Sequence, residues 1–191
     1  VYSHLKSVMS YALESGFIVS NPCQVRGAGS NITRSHVAIA TKTQASQILE
    51  NAPDELKSLF AIALWGGLRK GELLELRRKD LTLDESGVYL VSIQRAVIWL
   101  PGGEIQVKEP KWASRRNVAL PQGLSELITF HLKQMGNIDP EALLFPYRSN
   151  YSVHYPNHAI NRVWAKIRKS TGYAGSLHSL RSFAGTNYAM T

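Results

Sequence analysis

Cysteine is nearly missing from this chain. Cys23 is the only one in 191 residues, so no intrachain disulfide can form and the fold must rest on its core. Negative charge is missing from the last 50 residues. The last acidic residue is Glu141, and Arg148, Arg162, Lys166, Arg168, Lys169 and Arg181 follow it with no carboxylate to offset them. The longest apolar stretch, around Leu59 to Trp65, is too short to cross a bilayer, and no signal peptide opens the chain. A reducing cytoplasm is the expected compartment, with no membrane partner. There is no Walker-type glycine loop, no Cys/His metal cluster and no Gly-x-Ser-x-Gly elbow, which argues against nucleotide-driven, zinc-dependent and serine-hydrolase chemistry. The acidic residues are scattered and outline no two-metal nuclease site. His154 and His158 stand at i, i+4, but Pro156 between them disfavours a helical metal site. The expected metal set is therefore none.

What is present is positive charge and enough apolar material for a core. The net charge is +8, the pI is near 9.7, and 44% of residues are hydrophobic. A basic excess of this size favours a polyanionic partner.

The pattern along the chain divides it in three. Residues 1–23 carry Leu5, Val8, Met9 and Ala12 at helical spacing, stopped near Gly16 and Asn21-Pro22, and read as the end of a preceding helical domain. The chain opens at Val1, without a methionine and in mid-helix pattern, which reads as a fragment. Residues 24–40, rich in Gly, Ser and Asn, read as a linker. Residues 41–191 read as the main domain. Thr41 suits an N-cap for a helix through Leu49, and Leu56, Leu59, Phe60, Ala63 and Leu64 mark a core helix that Gly66-Gly67 can end. A short helix with Leu73, Leu74 and Leu76 follows. From Asp80 to Pro121 the period shortens, giving strands at Val88–Ile93, Ala96–Leu100, Glu104–Lys108 and Asn117–Leu120, with Pro101-Gly102-Gly103 as a turn. Helices return with Leu124 to Leu132, with Ile160 to Ile167, and from about Ser179 onward. The expected class is α+β, mostly helical, with helices around a small antiparallel three-stranded sheet.

Two arginine motifs, separated by more than a hundred residues, carry the chemistry. The first is Gly66-Gly67-Leu68-Arg69-Lys70-Gly71-Glu72-Leu73 and the second is His178-Ser179-Leu180-Arg181. Guanidinium groups grip phosphate oxygens two at a time and keep their charge, so two of them brought from distant segments can hold one phosphodiester. Arg69 sits behind a glycine turn at a helix start. Glu72, three residues on, fits either an ordinary solvated ion pair or a carboxylate that orients Arg69 from behind. His178, one turn before Arg181, adds a proton-handling group to the same helix face; a polar surface face is the alternative. Lys111 falls between two predicted strands, where a hairpin tip can dip a lysine into a DNA groove and protonate a leaving alkoxide. Lys108 is the competing lysine, and a solvated turn residue is the plain alternative. Arg115 and Arg116 follow closely and add backbone contacts, as does Arg77. Arg162, Lys166 and Lys169 recur at i, i+4, i+7 opposite the stripe Ile160, Val163, Trp164, Ile167, as a solvated face or a phosphate-tracking one.

These segments resemble one family. Ala63 to Leu73 is similar to the first arginine box of the tyrosine recombinases, or phage integrases. Leu177 to Ala184 is similar to their His-x-x-Arg box, and Pro110 to Leu120 to their β-hairpin lysine segment. The opening segment with Asn21-Pro22-Cys23 resembles the end of their core-binding domain. The resemblance implies DNA strand cleavage and rejoining through a 3′-phosphotyrosyl link, without metal or nucleotide cofactor. It implies that Arg69 and Arg181 neutralise the non-bridging oxygens, that His178 assists proton transfer, that Lys111 protonates the leaving 5′-oxygen, and that Glu72 supports Arg69. It implies double-stranded attachment-site DNA as partner, a homotetramer on that DNA, and no small-molecule substrate. Tyr188 shares the last predicted helix with Arg181 and is not assigned as nucleophile. That tyrosine is expected beyond Thr191, which would leave this stretch inactive for cleavage by itself. A DNA-binding module without chemistry and a type IB topoisomerase-like enzyme are the alternatives.

Overall fold

The computed structural model describes residues 1–25, 28, 38–111 and 114–188, the last two by backbone alone. Most of the expected linker therefore lies outside the described residues, as do Trp112 and Ala113. The chain forms two compact units, Val1–His36 and Val37–Thr191.

In the first unit, helix α1 spans Tyr2–Glu14 and buries no residue. Its apolar positions Leu5 and Val8 remain exposed. Gly16 takes φ +76, and the Phe17 N–H bonds the Ala12 carbonyl at 2.8 Å, ending the helix in a left-handed turn. Asn21 folds back on α1, donating to Ser10 Oγ at 3.0 Å.

The second unit is built on α3 (Lys57–Gly66), whose residues are buried from Ser58 through Leu64. A helix apolar on every face must lie inside, and its neighbours surround it. Helix α2 (Lys42–Glu50) starts at a reciprocal cap in which the Gln44 N–H donates to Thr41 Oγ1 at 3.1 Å and the Thr41 N–H donates to Gln44 Oε1 at 3.0 Å. After α3 comes the short α4 (Lys70–Leu74), with buried Leu76 just beyond it. Three strands follow: β1 (Leu81–Leu83), β2 (Tyr89–Ile93) and β3 (Ala96–Trp99). Then come β4 (Ile105–Lys108), β5 (Arg116–Ala119) and α5 (Ser125–Met135). The pair β6 (Pro146–Tyr147) and β7 (Asn150–His154) leads into α6 (Asn157–Thr171) and α7 (Leu180–Tyr188). Phe60 of α3 stacks on Trp164 of α6, their ring centres 5.8 Å apart, and Trp65 meets Phe183 of α7 edge-on at 5.4 Å.

The unit is α+β and mostly helical, as expected, but its strands pair otherwise than the sequence suggested. The three-stranded sheet runs β1-β2-β5, all antiparallel, with Leu81 opposite Val91 and Val91 opposite Val118. Strands β3 and β4 form a separate hairpin around Gly102 and Gly103, and β6 and β7 form another. β1 and β6, of three and two residues, are too short to show an alternating pattern, and neither they nor β7 are expected from the sequence. The segment carrying Lys111 is thus no hairpin tip. β4 pairs with β3, β5 pairs with β2, and Lys111 lies on the connection that crosses from the outer hairpin to the central sheet.

Candidate active site

Three arginines and one carboxylate meet where α3, α4, β5 and α7 converge. Gly67 adopts φ +60 and ends α3; a Cβ there would stand 3.2 Å from Ala184 Cβ and 3.7 Å from Arg181 Cγ. The glycine therefore lets α7 close on the turn between α3 and α4. Two residues on, Arg69 is the residue from which α4 starts. Its backbone N–H donates to Glu72 Oε2 at 2.9 Å and its Nη1 to Glu72 Oε1 at 2.8 Å. The pair is no solvated one, because Glu72 is 1% exposed. Helix α4 is pinned on two sides. Gly71 lies so close to β3 that a Cβ would come within 2.4 Å of the Val97 carbonyl oxygen. Lys70 Nζ donates to Asn157 Oδ1 of α6 at 2.5 Å and sits 5.2 Å from the Trp99 ring centre.

Arg116 enters the same cluster from β5. Its Nη2 donates to Glu72 Oε2 at 2.7 Å and its Nη1 to Glu72 Oε1 at 3.3 Å. Arg116, expected as a DNA contact, thus has its guanidinium on the carboxylate that also holds Arg69. Burial tends to raise the Glu72 carboxyl, but hydrogen bonds from Arg116 and Arg69 outweigh it and hold the group below its ordinary value.

Arg181, in the first turn of α7, completes the set. Its Nη1 is buried and has no hydrogen-bond partner among the described residues. Desolvation, then repulsion from Arg69 and Arg116, pushes its guanidinium below the usual arginine value, against a smaller pull from Glu72. Three guanidiniums facing one carboxylate leave two positive charges unmatched. A buried, unpaired donor in such a field is costly unless an anion fills it. His178 is not on α7. It lies in the 3₁₀ turn Leu177–Ser179 that leads into that helix, exposed, in a turn capped by Ser176, whose Oγ accepts from the Ser179 N–H at 3.2 Å. Lys111 is exposed as well, and its carbonyl accepts from Ser114 Oγ at 3.0 Å. Ser114 Oγ also accepts from Arg69 Nη1 at 3.1 Å, which brings the Lys111 segment to the cluster.

Residues 38–190 match the model of the phage integrase family. The chain belongs to that family. It is 34% identical over 182 residues to an integrase of prophage phiRv2 from Mycobacterium tuberculosis, covering 94% of this chain and 48% of that protein. It is 30% identical over 146 residues to the integrase of Mycobacterium phage L5, covering 75% of this chain and 38% of that one. The chain thus spans about half the length of the curated relatives it matches. Among solved structures, the Tn1549 transposon integrase in complex with transposon right end DNA has a TM-score of 0.76 at 18% identity, over 99% of this chain and 65% of that one. A lambda integrase tetramer bound to a Holliday junction has a TM-score of 0.61 at 17% identity, over 98% and 52%. At such identities the structural likeness speaks for the fold.

In this phage integrase family chain, the other cations expected to contact DNA lie outside the cluster or at its edge. Arg162, Lys166 and Lys169 are exposed on α6, with no ion pair among the described residues. Arg115 is exposed and pairs with Glu109. Arg77 is different. It binds Glu75 Oε1 at 2.7 Å and Glu141 Oε2 at 3.0 Å. Glu75 is itself buried, and bonds His154 besides. Arg77 therefore ties the end of α4 to the segment before β6. Lys108 ends β4 with its side chain exposed. Tyr188 falls in the last turn of α7, and its side chain lies outside the described residues. A cavity of about 1010 Å³, lined in part by Phe130, His131, Tyr147 and Tyr155, shares no residue with the arginine cluster.

Ser114 carries no signal of its own in the sequence, whereas the inward turn of Arg116 does. The signal for the second was available: Arg116 and Val118 share the half-buried face of β5, while Asn117 and Ala119 face out. An arginine in step with a valine packed against the core faces inward.

Proposed function

We propose that the intact protein is a site-specific DNA recombinase that integrates or excises a mobile element, cleaving and rejoining strands through a 3′-phosphotyrosyl intermediate. The observation that carries this reading is the unmatched charge around Arg181. A phosphodiester brings one negative charge, and the five-coordinate state on the way to cleavage brings about two. A cluster with two surplus positive charges answers the second better than the first, which is the condition for catalysis rather than mere binding.

In this reading Arg69 and Arg181 take the non-bridging oxygens, and Glu72 and Arg116 hold Arg69 from behind. A tyrosine oxygen forms the new bond to phosphorus as the bond to the 5′-oxygen breaks. Lys111 gives that oxygen its proton, and the tyrosine proton leaves through His178. We assign the tyrosine to the intact protein and not to Tyr188, which shares α7 with Arg181. The exposed face of α6 tracks the DNA backbone with Arg162, Lys166 and Lys169. Double-stranded attachment-site DNA is the substrate, a homotetramer is the working assembly, and the cytoplasm is the compartment. Relatives solved with transposon DNA and as a tetramer on a Holliday junction support both partners.

The test is a nicked DNA substrate carrying the attachment site, in which the fragment beyond the cut diffuses away and traps the covalent adduct. The intact protein should accumulate adduct, and Arg181→Ala should not. Absence of adduct on every cognate site would refute the proposal.

A further inference from the structure

Ser114 occupies a junction that no role has yet explained. Its hydroxyl accepts from Arg69 Nη1 at 3.1 Å and donates to the Lys111 carbonyl at 3.0 Å. Its own carbonyl accepts from Arg116 Nη1 at 3.2 Å. Arg69 and Arg116 are in turn fixed by the same buried carboxylate, Glu72. One small side chain thus fastens the segment that carries Lys111 to the two best-anchored arginines of the cluster.

That segment has no other evident support from the sheets. It leaves β4, which pairs with β3, and enters β5, which pairs with β2, so among the described residues no strand partner spans the crossing. A proton donor that has drifted by one ångström loses much of its effect. Direct bonding of the segment to Arg69 solves this, because the group that holds the phosphate also sets the backbone from which the acid reaches.

We propose that Ser114 is a positioning residue that places Lys111 for protonation of the leaving 5′-oxygen, acting through its paired hydrogen bonds to Arg69 and to the Lys111 carbonyl. The inference rests on the recombinase reading above. It differs from a purely structural role in one respect. The defect of a Ser114 variant must follow the need for a proton, and must vanish when the leaving group needs none.

The experiment uses the intact integrase in single-turnover cleavage of two nicked attachment-site substrates. One has the ordinary 5′-bridging oxygen. The other has sulfur at that position, which departs as a thiolate without protonation, since a thiol ionises near pH 8.5 and an alcohol far above it. Ser114→Ala should cut the oxygen substrate about 10- to 100-fold more slowly, within the range a general acid supplies. It should cut the sulfur substrate within about threefold of wild type, as Lys111→Ala also should. Ser114→Thr, which keeps the hydroxyl, should recover most of the rate on oxygen. An equal loss by Ser114→Ala on both substrates, or no loss on either, overturns the inference while leaving the recombinase reading intact. Failure of the wild-type protein to form adduct with either substrate overturns the recombinase reading, and this inference with it.

Discussion

Glu72 and Arg116 stand 44 positions apart and meet in a two-pronged ion pair, at 2.7 Å and 3.3 Å. The same carboxylate receives Arg69 from its own helix at 2.8 Å. One buried anion thereby holds two guanidiniums side by side, and a third, Arg181, is left facing them.

Removing that anion should cost stability as well as activity. Glu72→Gln keeps the shape but leaves three like charges together, and loss of one partner from a buried pair costs about 3 kcal/mol. Thermal unfolding should show a clear fall in Tm. The pH dependence has a definite sign. The folded Glu72 and Glu75 carboxyls both lie below their ordinary value of 4.5, so their contribution is fully present above that value and is lost as pH falls through the depressed folded values. The wild-type Tm should therefore drop as pH falls below the ordinary carboxylate range. Glu72→Gln should flatten part of that drop, and an unchanged profile would remove Glu72 from the account.

Arg181 should behave in the opposite way towards stability. Its buried Nη1 has no partner among the described residues, and its neighbours repel it. Arg181→Met keeps the length and removes the charge, so the ligand-free Tm should hold or rise, while cleavage by the intact protein should fall by at least about 100-fold. Inorganic phosphate gives a second readout. An anion at 100 times its Kd stabilises a protein by about 2.7 kcal/mol, and phosphate should raise the wild-type Tm much more than that of Arg181→Met. A Tm that falls sharply in the variant without anion would show that Arg181 is a structural group.

Gly71 tests whether the seating of α4 on β3 matters to the site. A methyl group there would meet the Val97 carbonyl oxygen at 2.4 Å, too close for any side-chain rearrangement to relieve. Gly71→Ala should destabilise by about 1–3 kcal/mol, as overpacking does, and should slow cleavage by displacing Arg69 at the next turn of backbone. Gly123→Ala is the matched control, because a Cβ there meets nothing within 4 Å. Equal Tm values for the two variants would contradict the close approach.

Much of this was legible before any coordinates. The helices declared themselves through long apolar periods, the Thr41 cap through its spacing to Gln44, and the two arginine motifs through their glycine turn and their basic surroundings. Strand pairing was not legible. Four short strands in a row look like successive hairpins; the Pro101-Gly102-Gly103 turn marks the β3–β4 pair, but nothing local tells β5 to leave β4 and pair with β2. The choice is made by Gly71, which lets β3 lie against α4, and by Tyr89 and Val91, which draw β2 and its partners into the core. The bridge made by Arg77 was not legible, because a surface arginine and one that joins Glu75 to Glu141 look alike in sequence. The partner 64 positions away is visible only after folding. Ser114 escaped notice for the same reason, since its two hydrogen-bond partners belong to different boxes.

The α6 cations give the last prediction. Each phosphate contact made by a lysine or arginine contributes roughly 0.9 to the slope of log affinity against log salt on duplex DNA. Arg162, Lys166 and Lys169 are exposed on one helix face and hold no carboxylate among the described residues. Replacing all three with alanine should lower the slope by about 2 to 3 and weaken binding to specific and unrelated DNA alike, because backbone contacts position without reading bases. Arg168 lies on the same helix but is fastened elsewhere, donating to the carbonyls of Tyr173 at 3.2 Å and Ala174 at 3.0 Å. Arg168→Ala should reduce Tm and leave the salt slope nearly unchanged. A slope that falls as much for Arg168→Ala as for the triple variant would mean that net charge, and not the exposed face of α6, governs DNA binding.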